Sequence, residues 1–208
     1  FIILGNMNAI TYREVFSLIK MNRMWIGYGF NLSMIFKTTY PNLLEANRKY
    51  VQSKGYDPDK NYVKTPAIAW FTNLDIKKRH EEMMLYKHYT PEEYPTYENF
   101  EAINVDKVSD IPCDYEGNIG VPITFLDKYN PEQFEIVALG NSRENFTPNK
   151  DYINPKKHTK DGKTVNGGAI NCVLSLSQKE KPVGKVYYTS DNSEFLVPPY
   201  ARILIKKK

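Results

Sequence analysis

Apolar runs and helical spacing alternate over the first third of the chain. Phe1 to Leu4 are all apolar and are followed by Gly5-Asn6, which predicts a strand buried on both faces. Apolar residues between 15 and 19 then follow helical spacing, and Thr11 with Glu14 predicts a capping box at the start of that helix. The pattern thus opens on a sheet strand, and we expect further elements of the fold to precede it.

The alternation continues to about residue 75. Extended segments are predicted at 23–28 and 34–38, a helix at 43–51 that stops near Gly55, and another buried strand at 66–73. Strands that alternate with helices are typical of a layered α/β domain. We therefore predict an α/β region over residues 1–85.

Beyond residue 85 the pattern changes to short strands between turn residues. An extended segment, 86–99, joins the two parts, the polar stretch 148–168 predicts a loop, and residues 190–193 predict a hairpin turn. Strands are predicted at 119–126, 134–139, 170–176, 185–189, 195–197 and 201–205. Residues 86–208 are therefore expected to form a β-rich α+β region.

Composition narrows the class of protein. Of the 208 residues, 41% are hydrophobic and 13% aromatic, and no apolar run approaches the 18 or so residues of a membrane span. The two cysteines, Cys113 and Cys172, and the three histidines show no metal-ligand spacing, so no metal site is predicted. These features favour a cytoplasmic protein without a membrane partner.

Charge is distributed unevenly along the chain. Residues 151–208 hold 11 Lys and Arg against 5 Asp and Glu, whereas residues 101–150 hold 4 against 9. A basic end beside an acidic middle is consistent with either a solvated surface or a nucleic-acid contact.

Two short patterns carry candidate chemistry. Asp59 in a Pro-Asp pair, with Asp75 and Lys77 downstream, is the pattern of Mg²⁺-dependent nucleases, in which carboxylates hold the cation and lysine assists the attacking water. Val197-Pro198-Pro199-Tyr200 is close to the Asn/Asp-Pro-Pro-Tyr motif of amino-group methyltransferases, but valine offers no acceptor for the substrate amine. The nuclease interpretation stays open, and the second pattern predicts a strand that ends in a stiff turn.

Three stretches are distinctive when taken together: ILGNMNAITYREVFSLIKMNRMWIGYGF, AWFTNLD and GVPITFLDKYNPEQFEI. With the closing RILIKKK they resemble the EcoRI-type family of adenine-specific DNA methyltransferases over most of the chain. Members of that family are longer, and they carry an S-adenosylmethionine-binding glycine segment and an Asn-Pro-Pro-Phe motif that this sequence lacks.

The resemblance implies a fold and a reaction. The fold is the C-terminal half of a class I, Rossmann-like methyltransferase sheet over 1–85, followed by a target-recognition region over 86–208. The reaction is transfer of methyl from S-adenosylmethionine to N6 of an adenine flipped out of double-stranded DNA. A cognate restriction endonuclease would be a partner in the same system. Because the upstream motifs are missing, no catalytic residue is predicted here and the 208 residues alone are expected to be inactive.

The resemblance also implies site residues. Trp70 or Phe71, with a slight preference for Phe71, would pack on the flipped base, and Asn6 and Asn8 would line its pocket at the carboxyl edge of the sheet. Basic side chains would contact DNA: Lys77, Lys78, Arg79, Arg143, Lys150, Lys156, Lys157, His158, Lys160 and Lys163. A DNA-binding specificity module that acts with a separate catalytic chain remains the alternative.

Overall fold

The computed structural model describes residues 1–30, 33–40, 44–141 and 146–208. Its two α-helices within these ranges are α1 (Arg13–Lys20) and α2 (Glu45–Ser53). The strands in the same ranges are β1 (Ile2–Asn6), β2 (Trp25–Ile26), β3 (Met34–Lys37), β4 (Tyr62–Thr65), β5 (Ile68–Thr72), β6 (Ile103–Asn104), β7 (Ile119–Pro122), β8 (Phe134–Leu139), β9 (Lys156–His158), β10 (Thr164–Asn166), β11 (Leu176–Gln178), β12 (Tyr187–Ser190), β13 (Ser193–Val197) and β14 (Arg202–Lys207).

The first sheet has the order β1-β5-β2, and both outer strands are antiparallel to β5. β1 and β2 therefore run parallel to each other. The predicted strand at the start of the chain is confirmed, but its predicted burial is wrong: Ile2 is 62% exposed and Ile3 52% exposed. The physical reason is that β1 pairs on one side with β5, while its other edge is open.

Helix α1 shares a core with Ile26 and Phe71 of this sheet. It forms where helical spacing predicts it, and it buries Phe16 and Ile19. The predicted capping box is wrong, because Tyr12 is the N-cap and makes no side-chain cap bond. Thr11 instead ends a 3₁₀ helix, Met7–Thr11, and its hydroxyl donates to the Asn8 carbonyl at 2.8 Å.

Strands β3 and β4 form a separate two-stranded antiparallel sheet, and α2, which connects them, packs beside β4. The Asn47 side chain fixes this contact, since it donates to the Tyr62 carbonyl at 2.9 Å and accepts from the Lys64 N–H at 2.7 Å. The predicted helix at 43–51 is thus confirmed in the described part, from Glu45 onward.

A four-stranded sheet, β6-β7-β14-β8, forms the centre of the second region. Its apolar side chains pack around Phe125 and Phe134, whose rings meet edge to face at 5.3 Å. The prediction of one strand over 119–126 is wrong in its second half: β7 ends at Pro122, and a 3₁₀ helix follows over Ile123–Lys128. Pro122 lacks the N–H that a continuing strand would need.

A five-stranded sheet, β10-β9-β12-β13-β11, completes the fold. The predicted turn at 190–193 joins β12 to β13, where Ser190 pairs with Ser193. The stretch 148–168, predicted as a loop, contains the β9–β10 hairpin. The strand predicted at 170–176 is largely replaced by a 3₁₀ helix over Gly168–Cys172.

One apolar core crosses the predicted boundary between the two regions. It joins Ile19 and Phe71 from the first region to Ile119, Phe125 and Ile203 from the second. Lys20 adds a polar contact, since its Nζ donates to the Val137 carbonyl at 2.5 Å. The fold is therefore mixed α/β with several sheets and few helices in the described ranges, and the division at residues 85 and 86 stays a prediction.

Candidate functional site

An uncovered apolar face is the first notable feature of the β1-β5-β2 sheet. Paired residues project to the same side, so Ile2 and Leu4 share a face with Thr72 and Trp70. An apolar cleft of about 380 Å³ lies on this face, lined by Trp70, Ile2 and Gly27 among others. We call Ile2, Leu4 and Trp70 the open face.

The two aromatic residues proposed for base stacking lie on opposite sides of the sheet. Phe71 is 4% exposed and belongs to the core beneath α1. Trp70 is half-buried and lines the cleft on the open face. Between the two, the structure therefore offers Trp70 and not the preferred Phe71 to a binding partner.

Asn6 and Asn8 lie at the carboxyl end of β1, where sequence analysis expected them. Both are exposed, and the Asn6 Oδ1 accepts from the Asn8 N–H at 2.8 Å, which starts the 3₁₀ helix. The cleft beside Trp70 extends instead toward Ile2, at the amino end of the strand. The four residues predicted to form one base pocket are thus spread along the sheet.

Three basic residues follow one another at 77–79, and the structure describes all three side chains. Of these, Lys77 is the one exposed to solvent as a free cation. Lys78 forms an ion pair with Asp127, and its side chain is 17% exposed. Arg79 is 8% exposed, and its guanidinium stacks on the Trp25 ring at 3.6 Å. Burial lowers the pKa of Arg79 below its usual value.

Arg79 is therefore expected to stabilise the fold and not to contact DNA. Arg79→Gln should lower the free energy of unfolding by about 2 kcal/mol, because a desolvated cation–π contact is lost, and should leave the salt dependence of DNA binding unchanged. Urea unfolding and DNA titrations at several salt concentrations measure both quantities. Lys77→Gln is the matched control, since Lys77 lies with Arg79 in the 3₁₀ helix Lys77–His80, and it should leave stability unchanged. A flatter salt dependence in Arg79→Gln would contradict this assignment.

A basic groove of about 600 Å³ lies on the five-stranded sheet. His158 and Lys160 line it from the β9–β10 hairpin, and Lys181, Lys185 and Tyr187 line it from the opposite side. The His158 ring stacks on Tyr187 at 4.6 Å with an interplanar angle of 11°. Lys181 Nζ lies 5.9 Å from the centroid of the Tyr187 ring. Charge and aromatic surface are thus combined in one groove, which we call the lysine groove.

The other predicted DNA contacts have different surroundings. Lys150 pairs with Glu98, and the Lys163 Nζ lies 3.1 Å from the Asp161 carboxylate. Lys156 is exposed on β9, whereas its neighbour Lys157 is half-buried. Arg143 lies outside the described residues.

Lys181 and Lys185 were not among the predicted DNA contacts. Both are exposed, and they lie in the segment between β11 and β12, about 20 residues downstream of the lysine-rich stretch. Pairing of β9 with β12 brings this segment beside His158. The sequence feature that could have identified them is the position of the two lysines around Pro182 and Gly184, a pattern typical of an exposed turn.

The residues of the nuclease interpretation are engaged elsewhere. Asp59 forms an ion pair with Arg48 at 2.6 Å. The Asp75 carboxylate lies 2.7 Å from His80 Nε2, within hydrogen-bond distance. The hydrogen bond to His80 holds the pKa of Asp75 below its usual value. Within the described part of the chain, neither carboxylate belongs to a group of three potential metal ligands. The geometry therefore gives the nuclease interpretation no support.

Comparison with known proteins now identifies the family. The model of the family described as adenine-specific methyltransferase EcoRI matches residues 1–208. This chain belongs to that family. The resemblance stated from the sequence is thereby confirmed.

Curated relatives within the family are longer than this chain. It is 44% identical over 144 residues to the type II methyltransferase M.EcoRI of Escherichia coli, covering 67% of this chain and 42% of that protein. It is 33% identical over 190 residues to the type II methyltransferase M.MpnI of Mycoplasma pneumoniae, covering 88% and 58%. For M.MgeORF184P of Mycoplasma genitalium the values are 34% over 175 residues, 80% and 53%. The chain thus spans about half the length of the curated relatives that it matches.

No solved structure matches the chain. In the ranges that the structure describes, neither helix combines the length and apolar character needed to cross a bilayer.

Proposed function

We propose that this chain is the C-terminal part of a DNA adenine N6-methyltransferase of a restriction-modification system. The complete enzyme would transfer methyl from S-adenosylmethionine to an adenine in a specific site of double-stranded DNA. The observation that carries the proposal is the match along the whole chain to a family described as adenine-specific methyltransferase EcoRI. The three type II methyltransferases that are 33–44% identical to this chain support the same reaction class.

The open face supports the proposal that another part of the enzyme packs against this chain. A sheet that is apolar on both faces is stable when both faces are covered. Here Phe71 is buried in the core on one face, while Ile2 and Leu4 remain 62% and 40% exposed on the other. We therefore assign the open face and the unpaired edge of β1 to contact with an upstream part of the enzyme, in which Trp70 would become buried.

The donor site belongs to that upstream part in this proposal. The glycines of Gly27-Tyr28-Gly29 are explained by packing: a Cβ on Gly27 would lie 3.0 Å from the Trp70 Cβ, and Gly29 has a φ of +83°. We therefore do not assign Gly27-Tyr28-Gly29 to the S-adenosylmethionine site. The reactive Asn-Pro-Pro-Phe motif would likewise come from upstream.

DNA would bind along the lysine groove. Its exposed lysines suit phosphate contacts, which supply most of the salt-dependent affinity for DNA. Asn6 and Asn8, at the carboxyl end of β1, remain the proposed lining of the pocket for the flipped adenine. Because Trp70 lies on the open face, we now favour a docking role for it over stacking on the base.

A methyl-transfer assay tests the proposal. The 208-residue chain is expected to transfer no labelled methyl from S-adenosylmethionine to DNA, because it lacks the donor site. The same chain joined to the upstream part is expected to label N6 of adenine at one DNA sequence. Methylation by the 208 residues alone, or labelling of cytosine by the joined chain, would overturn the proposal. If the joined chain binds a specific site without methylating it, the specificity-module alternative gains support.

A further inference from the structure

Three different metal-ligating side chains meet at the surface near the start of the second region. His88 Nδ1 lies 2.9 Å from Asp114 Oδ2, and Cys113 Sγ lies 3.7 Å from the same nitrogen. All three ligand atoms lie within 4.8 Å of one another. His88 is separated from the other two by 25 residues or more, so their spacing in the sequence does not indicate a site.

Backbone contacts hold the two segments in register. The Cys113 N–H donates to the Lys87 carbonyl at 2.8 Å, within an isolated parallel bridge between Lys87 and Pro112. The Tyr89 N–H donates to Asp114 Oδ1 at 2.8 Å, which leaves Oδ2 directed at His88. Main-chain pairing therefore holds Cys113 beside the residue that precedes His88, and a main-chain N–H orients the Asp114 carboxylate.

We propose that His88, Cys113 and Asp114 bind a divalent ion of the zinc type, with water as the fourth ligand. Tetrahedral bonds of about 2.3 Å to sulfur and about 2.0 Å to nitrogen place those two atoms about 3.5 Å apart. The 3.7 Å between Cys113 Sγ and His88 Nδ1 fits this value. The 2.9 Å between nitrogen and carboxylate must open by a few tenths of an ångström, which the exposed side chains of His88 and Asp114 permit.

The chemistry of the three ligand atoms determines which ion fits. Thiolate and imidazole favour Zn²⁺ and its softer relatives, whereas Mg²⁺ and Ca²⁺ prefer oxygen ligands. On binding, the Cys113 thiol would release its proton to solvent, and His88 would ligate as neutral imidazole through Nδ1. The exposure of His88 and Asp114 gives the ion and its water a direct path from solvent.

A bound ion would add a link between two parts of the fold that the Lys87–Pro112 bridge and the Tyr89–Asp114 hydrogen bond already connect. His88 lies in the extended segment 86–99, and Cys113 with Asp114 precedes β7. An ion that binds the folded state and not the unfolded one stabilises the fold by mass action. This role is independent of methyl transfer, so the site can exist whether or not the proposed function is correct.

Cobalt titration of the purified 208-residue chain tests the site. Co²⁺ is expected to bind with one equivalent, to produce a thiolate-to-metal charge-transfer band in the near ultraviolet, and to be displaced by Zn²⁺. Cys113→Ser should abolish the band, and His88→Gln should weaken Zn²⁺ binding about tenfold or more. Cys172→Ser is the matched control, because Cys172 is also a free, half-buried cysteine but lies elsewhere, at the end of the 3₁₀ helix Gly168–Cys172. It should retain the full band.

Thermal unfolding distinguishes stabilisation by the bound ion from any effect of the Cys113 side chain on the fold itself. Without metal, Cys113→Ser and the unchanged chain are expected to unfold at the same temperature, whereas Zn²⁺ should raise the unfolding temperature of the unchanged chain alone. Persistence of the charge-transfer band in Cys113→Ser, its loss in Cys172→Ser, or the lack of any band at millimolar Co²⁺ would each overturn the proposal.

Discussion

Leu4→Asp is expected to lower the free energy of unfolding by about 3 kcal/mol or more in a chain that carries the upstream part of the enzyme. A carboxylate buried without a partner has a cost of this size. In the 208-residue chain, where Leu4 is 40% exposed, the same change should cost about 1 kcal/mol or less. Urea unfolding of both chains measures the difference.

The contrast between the two chains is what identifies an interface. Leu4 pairs with Trp70 on the open face, so any element that covers this face must contact both side chains. Val165→Asp is the matched control, since Val165 is an apolar strand residue with 48% exposure in the β9–β10 hairpin. Its effect should be small in both chains. If Leu4→Asp has the same small effect in the longer chain, the open face is not covered and the proposed division of the enzyme fails.

The double variant Lys160→Gln, Lys181→Gln is expected to flatten the salt dependence of DNA binding. Each lost phosphate contact lowers the slope of log affinity against log salt concentration by about 0.9, so the two together should lower it by about 1.8. Between 50 and 200 mM salt, the affinity of the unchanged chain should therefore fall about tenfold further than that of the variant. Fluorescence anisotropy with labelled duplex DNA provides the measurement.

A second pair of lysines controls for net charge. Lys87 and Lys107 are also exposed, but Lys87 lines a small cavity with Glu93, Asp106 and Asp110, and Lys107 directly follows Asp106 in the chain. Lys87→Gln, Lys107→Gln should leave the slope unchanged, because nearby carboxylates repel phosphate. Equal slopes for the two double variants would show that the lysine groove does not track the DNA backbone.

The elements that sequence analysis predicted correctly are those with strong local signals. Helix α1 and strands β1 and β5 have apolar spacing or apolar runs that few other conformations satisfy. The burial of β1 was not predictable in the same way, since it depends on which strands and helices lie beside it. Pro122 is a case in which a local signal was present, and the strand does end there.

The functional surfaces depend on contacts distant in sequence, which explains the misses. β9 is Lys156-Lys157-His158, a polar segment without the β-branched residues of a typical strand, and pairing with β12 stabilises it. The same pairing creates the lysine groove and brings Lys181 into it. Arg79 carries a charge that usually indicates the surface, yet the Trp25 ring holds it inside. His88 and Cys113 likewise meet through the bridge at Lys87, for which the sequence gives no signal.

The continuous core has a consequence for how the chain responds to cleavage. Tyr94 and Tyr97, in the segment that links the two regions, are each 5% exposed or less, whereas Glu93, Pro95 and Thr96 beside them are exposed and accessible to a protease. A nick at these exposed residues would leave Ile19 and Phe71 still packed with Ile119 and Ile203. The two products should therefore stay together through gel filtration and separate in denaturant, as halves of one cooperative unit.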